Sequence, residues 1–214
     1  MAVKMVIRKQ RFDDTAAAFA AQNAEKGQIV FYGPSNFTRW NGNYNSCNLE
    51  EDIRGASGKK CCINRGFGGS GAEQQLYYYD RMVRPLEPKV LVYAGYGNSP
   101  GYTNEEIWEI CQRVIAWAKA DFPDIHIYLC GPKINLNSTE EGKALRVEFN
   151  EWLREFAENN ENVGFIDTIN YEPFLDRELV KDIFVEDNVH FNDKGYKLYE
   201  ALFKEALKDE LARF

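Results

Sequence analysis

Lys89-Val90-Leu91-Val92-Tyr93-Ala94 is the stretch on which the fold turns. Its near-continuous apolar character suits a strand covered on both faces, which is the habit of parallel sheets packed between helices. Working outward, the same kind of segment recurs. Gln28-Ile29-Val30-Phe31-Tyr32 is a short apolar strand stopped by Gly33-Pro34. Cys61-Cys62-Ile63-Asn64, Ile125-His126-Ile127-Tyr128-Leu129-Cys130 and Val163-Gly164-Phe165-Ile166 supply three more. Helical patterns lie between them. Residues 11–26 are Ala-rich and end at Gly27. Residues 71–84 carry Leu76, Tyr79 and Val83 on one face. Thr103 with Glu106 forms a capping box for a helix to about Asp121. A second such pattern, Ser138 to Glu141, opens a helix to about Asn159, and Asn192 starts a terminal helix to about Arg213.

Strands alternating with helices imply parallel pairing through right-handed crossovers. The expected fold is α/β: a three-layer α/β/α sandwich with about five parallel strands, flavodoxin-like in topology. The 214 residues carry no Pro-, Gly- or Ser-rich linker, so one domain over 1–214 is expected, with residues 1–27 as a helical extension packed on it. Ligands of such sheets bind at the carboxyl ends of the strands. Chemistry-bearing residues are therefore sought just after strands.

The net charge of −7 argues against non-specific nucleic-acid binding and against anionic membranes. No run is long and apolar enough to span a bilayer, so no stable membrane association is expected. The opening MAVKMVIRKQRFDD lacks a sustained apolar stretch and a small-residue cleavage site, so it does not read as a signal peptide. The five cysteines, Cys47, Cys61, Cys62, Cys111 and Cys130, show no CxxC spacing. They read as buried reduced thiols of a cytoplasmic protein, not as disulfides or a zinc site. The run Tyr77-Tyr78-Tyr79 reads as helix packing or as a surface for a second copy of the chain, a homodimer.

Histidine is the one side chain that titrates near neutrality when unperturbed, and the chain has two. His126 alternates with Ile125 and Ile127 in a strand and is given no catalytic role. His190 lies in Asp187-Asn188-Val189-His190, where Asp187 is close enough in a tight turn to fix the imidazole tautomer. Ser35 follows the first strand directly, after Gly33-Pro34, either as a nucleophile or as the N-cap of a short helix. Arg65-Gly66-Phe67-Gly68-Gly69-Ser70 follows the second strand, where glycines let backbone amides approach an oxyanion. Gly95-Tyr96-Gly97-Asn98 follows the third, and Asn98 is a side-chain donor or a turn asparagine.

With these pieces in this order, the chain resembles the SGNH (GDSL-type) hydrolases, esterases and lipases of acyl esters, from about Phe12 to the last helix. The first block is similar to Ile29 through Trp40, the second to Ile63 through Ser70, and the last to Phe184-Val185-Glu186-Asp187-Asn188-Val189-His190-Phe191-Asn192. The resemblance implies Ser35 as nucleophile, His190 as base and Asp187 as its orienting acid. It implies Gly69 N–H as an oxyanion donor beside the amide of Ser35 or Asn36. Two places depart from the family pattern. Pro34 stands where the family has Asp. Gly97 stands where the family has an oxyanion Asn, with Asn98 one place late, so either the loop is remodelled to let Asn98 reach in or the third donor is missing.

Acyl transfer by this set calls for no metal and no organic cofactor. Arg39, Trp40, Arg65 and Tyr96 lie near the expected site and are taken as substrate contacts. Being polar and aromatic, they suit a small-molecule ester of short acyl chain or a carbohydrate O-acyl ester. Two competing readings stand beside this one. The first is a catalytically impaired member of the same fold that binds an acyl or carbohydrate ligand. The second is a flavin or nucleotide binder, which leaves Asp187 and His190 unexplained.

Overall fold

The computed structural model describes residues 11–214; the opening basic stretch, residues 1–10, lies outside the described residues. Five parallel strands form one sheet: β1 (Ile29–Gly33), β2 (Cys62–Gly66), β3 (Val90–Tyr93), β4 (His126–Cys130) and β5 (Val163–Ile166), in the order β2-β1-β3-β4-β5. β1 sits second from an edge and pairs with both β2 and β3. The helices are α1 (Asp13–Ala20), α2 (Ser35–Thr38), α3 (Leu49–Asp52), α4 (Ala72–Met82), α5 (Asn104–Asp121), α6 (Glu140–Glu158), α7 (Glu172–Leu175), α8 (Arg177–Asp182), α9 (Asp193–Ala206) and α10 (Lys208–Leu211).

The period-two alternation of the strands divides the core in two. Val30, Tyr32, Leu91 and Tyr93 face α1, α4, α5 and α6. Ile29, Phe31, Val90 and Val92 face α9, α10 and the segment around α2 and α3. β1 and β3 are buried along their whole length, as continuous apolar runs require when both faces are covered. Among the described residues, no helix is long and apolar enough to cross a membrane.

Several boundaries differ from the sequence expectations. The first helix spans only Asp13–Ala20, not 11–26. Just beyond its end, Gln22 accepts a bond from buried Arg65 (2.8 Å). The N-cap of α6 is Thr139, whose hydroxyl accepts from Gly142 N–H (3.0 Å), while Ser138 Oγ turns back to Asn135 (3.1 Å). The terminal helix breaks at Leu207 into α9 and α10. Tyr78 and Tyr79 are fully buried, so two of the three tyrosines of that run pack the helix and Tyr77 alone faces outward. All five cysteines are free and buried.

Candidate active site

Three loops at the carboxyl edge of the sheet converge. α2 begins at Ser35, immediately after β1, and is seated by close packing. A Cβ on Gly66 would fall 2.7 Å from Phe37 Cβ, so only glycine at the end of β2 lets α2 approach. Asn64 fastens the other end, its amide donating to the carbonyls of Phe37 (2.8 Å) and Trp40 (3.2 Å). Ser35 is thereby fixed at the top of the sheet and half-buried.

His190 arrives on a tight hairpin, Phe184–Phe191, closed by an antiparallel bridge between its end residues and by Val185 N–H donating to His190 O (2.9 Å). Asn188 turns the chain with φ 57°, a conformation asparagine tolerates better than most residues. His190 Nε2 lies 2.9 Å from Ser35 Oγ, and His190 Nδ1 lies 2.7 Å from Asp187 Oδ2. Asp187 Oδ1 accepts the backbone amides of Val189 and His190, each at 2.8 Å. Burial works to raise the Asp187 carboxyl, but the bonds from the His190 amide, the imidazole and the Val189 amide outweigh it and hold it well below the carboxylate range. Burial lowers His190 from its ordinary value against the pull of Asp187, with Arg39 adding to the lowering. The imidazole is thus held neutral at neutral pH and aimed at the serine, the arrangement a general base needs.

The Gly-rich turn completes this edge. Gly68 presents its open side to Ser35, with the Ser35 Cβ 3.5 Å from where a Gly68 Cβ would stand. Gly69 has φ 81°, and a Cβ there would stand 2.6 Å from the Arg11 guanidinium. The amides of Ser35, Asn36, Gly68 and Gly69 find no acceptor among the described residues. The third loop is remodelled. A side chain at Gly97 would collide with the Ser70 carbonyl, which accepts instead from the Asn98 amide (2.9 Å). The Asn98 side-chain amide also faces Ser70 O, at 3.5 Å. The Asn98 backbone amide braces one loop against the other, while the exposed Asn98 side chain makes only this long contact among the described residues.

The substrate contacts divide. Arg39 stays at the site, with its guanidinium 3.4 Å from Asp187 Oδ2 and 5.2 Å from the ring centre of exposed Tyr44. Tyr96 is half-buried against Phe149 (4.8 Å) and under Arg146 (5.7 Å). Trp40 and Arg65 are corrections. Trp40 is fully buried among Tyr196, Tyr199 and Phe203, with its indole N–H on Asp52 (2.7 Å). Arg65 is 1% exposed, stacked on Phe19 (4.7 Å) and bonded to Gln22, so it seals the β2 edge beneath α1. His126 holds the buried carboxylate of Glu210 (2.6 Å), away from any chemistry. Lys133 escaped the sequence reading. It stands just after β4, where the strand-end rule would have found it, and its Nζ donates to the Val189 carbonyl.

A three-layer α/β/α fold with a Ser, an Asp–His hairpin and a Gly-rich turn at one sheet edge defines the SGNH-hydrolase class. Similar solved structures include a GDSL-like lipase from Bacteroides thetaiotaomicron (21% identity, 94% of this chain and 97% of that one, TM-score 0.69). An acetyl-xylooligosaccharide esterase from Geobacillus shares 14% identity over 86% of this chain and 95% of that one, with a TM-score of 0.68. An acetyl xylan esterase shares 19% identity over 84% and 99%, with a TM-score of 0.63. Among curated proteins none matches the sequence. The profile of the GDSL-like Lipase/Acylhydrolase family matches residues 31–198. The chain belongs to that family.

Proposed function

We propose that this protein is a serine esterase that hydrolyses short-chain or carbohydrate O-acyl esters with Ser35, His190 and Asp187. The observation that carries this is the unbroken chain of contacts from Ser35 Oγ through His190 (2.9 Å) to Asp187 (2.7 Å). In the first half-reaction His190 Nε2 takes the Ser35 proton as Oγ attacks the ester carbonyl. The tetrahedral oxyanion is met by the amide of Gly69 and that of Ser35 or Asn36. His190 then protonates the leaving alcohol. In the second half-reaction His190 activates water, which attacks the acyl-enzyme and releases the acid. Neither half needs a metal or an organic cofactor.

If the Asn98 side chain stays on Ser70 during turnover, one oxyanion donor of the family pattern is lacking. Loss of one such donor costs about 3–4 kcal/mol of transition-state stabilisation. A turnover some two to three powers of ten below a fully furnished relative is therefore expected. Polar and aromatic groups support the substrate class: Arg39 beside Asp187, exposed Tyr44 stacked on Arg39, and Tyr96. Two of the similar folds are described as esterases of acetylated xylan or xylooligosaccharide, which suits the same class.

A panel of acyl esters assayed against wild type and Ser35→Ala tests the proposal. Acetyl esters of sugars are expected to be cleaved by wild type and not by Ser35→Ala. Equal rates for the two proteins would remove Ser35 from the chemistry, and no cleavage of any ester by wild type would favour a binding protein on this fold.

A further inference from the structure

Lys133 is a buried cation to which the chemistry above gives no task. It follows β4 in Gly131-Pro132-Lys133 and is 9% exposed. Its Nζ donates to the carbonyl of Val189, the residue before His190. The ammonium lies 4.2 Å from the ring centre of Phe191 and 5.1 Å from that of Phe184, the bridged ends of the histidine hairpin. Two neighbours extend the grip. Leu136 N–H donates to the Asn188 carbonyl (3.0 Å), and the Asn137 amide donates to the Asp187 carbonyl (2.8 Å). The carbonyls of Asp187, Asn188 and Val189 are thus all held by residues 133–137. Within this clamp Lys133 alone is charged and buried, since Leu136 and Asn137 are exposed.

A buried ammonium without a carboxylate partner is costly, and a Met side chain would fill the same space without that cost. Among the described residues Lys133 pairs with no carboxylate. The far side of the hairpin is not packed solid either. A cavity of about 230 Å³ lies there, walled by Lys133, Phe174, Ile183, Phe184 and Phe191. On that side the hairpin is held by a hydrogen bond and by charge over aromatic faces, more than by steric fill.

We propose that Lys133 is a positioning residue that clamps the histidine hairpin through Val189 O and so holds the His190 ring where it accepts the Ser35 proton. This rests on the Ser35–His190–Asp187 reading. Asp187 faces both groups and favours the protonated form of each. Arg39, beyond α2, and Arg146, on α6, disfavour the Lys133 ammonium, and Lys143 lines the same cavity from α6. Burial brings Lys133 down to about 7. Below that pH it is cationic, and this is the range in which His190 would otherwise take up a proton. The charge then adds to burial and Arg39 in lowering His190.

The test reads the two imidazoles by nitrogen-15 NMR in wild type, Lys133→Met and Lys133→Arg, beside pH profiles of kcat/KM on an acetyl ester. His126 is the internal reference. In Lys133→Met the His190 midpoint is expected to rise, since removing a nearby cation favours imidazolium. The acid limb of kcat/KM should move with it, with kcat falling roughly tenfold and KM within about twofold, as expected when orientation and not binding is lost. Lys133→Arg keeps the charge and should return the midpoint and the limb toward wild type. An unchanged His190 midpoint and profile in folded Lys133→Met would overturn the proposal. Should Lys133→Met fail to fold, Lys133→Gln carries the same midpoint measurement. If wild type cleaves no ester, the serine-esterase reading fails by itself, while the NMR midpoint still decides what Lys133 does to His190.

Discussion

Asp187 shows how few atoms set the geometry of the proposed site. One carboxylate oxygen is fixed by two backbone amides, so the other has a single orientation left, toward the imidazole. Asp187→Asn keeps an oxygen for those amides and turns an NH2 toward His190 Nδ1, which would hold the wrong tautomer. The expected result is a fall in kcat of about four powers of ten with little change in thermal midpoint. A loss under tenfold would mean that Asp187 does not orient the base. Gly97 makes the opposite point, because the Ser70 carbonyl already occupies the slot of the missing side chain. Gly97→Asn should lower stability by about 1–3 kcal/mol in chemical denaturation without raising kcat, as overpacking does. A faster and equally stable variant would show that the loop still admits the donor. At this scale the sequence was legible where residue type is scarce: two histidines, one of them three residues after an aspartate. It was not legible for Trp40 and Arg65, whose partners Tyr196 and Gln22 lie 156 and 43 residues away along the chain.

Strand and helix identities followed from periodicity, because apolar runs and apolar stripes report which faces are covered. Ends of elements followed less well, since a cap is decided by one hydroxyl: Thr139 takes the place expected of Ser138. The break at Leu207 has a tertiary cause. It delivers Glu210 on α10 to β4, where the carboxylate, 3% exposed, meets His126 (2.6 Å), Tyr128 (3.2 Å) and Arg213 (3.1 Å). No local pattern encodes a contact spanning 84 residues. Glu210→Ala takes the shared acceptor from half-buried His126 and Tyr128 and should cost about 1 kcal/mol in urea unfolding, with the Ser35–His190 contact untouched. A cost under about half a kcal/mol would show that α10 does not depend on this carboxylate.

At the scale of the molecule, the sheet explains why a serine and a histidine 155 residues apart meet. All strands run parallel, so every loop that follows a strand opens on the same edge, and β1, second from one side of the sheet, sets Ser35 among them. The same topology brings the 133–137 loop, after β4, against the hairpin that carries His190. The central claim is that this edge activates Ser35, and covalent labelling with a fluorophosphonate, followed by intact mass and peptide mapping, tests it most directly. Wild type is expected to gain one phosphonyl group on Ser35, at a rate that falls as acid protonates His190, with no label on Ser35→Ala or His190→Ala. Wild type left unlabelled, or Ser35→Ala labelled as fast as wild type, would contradict it.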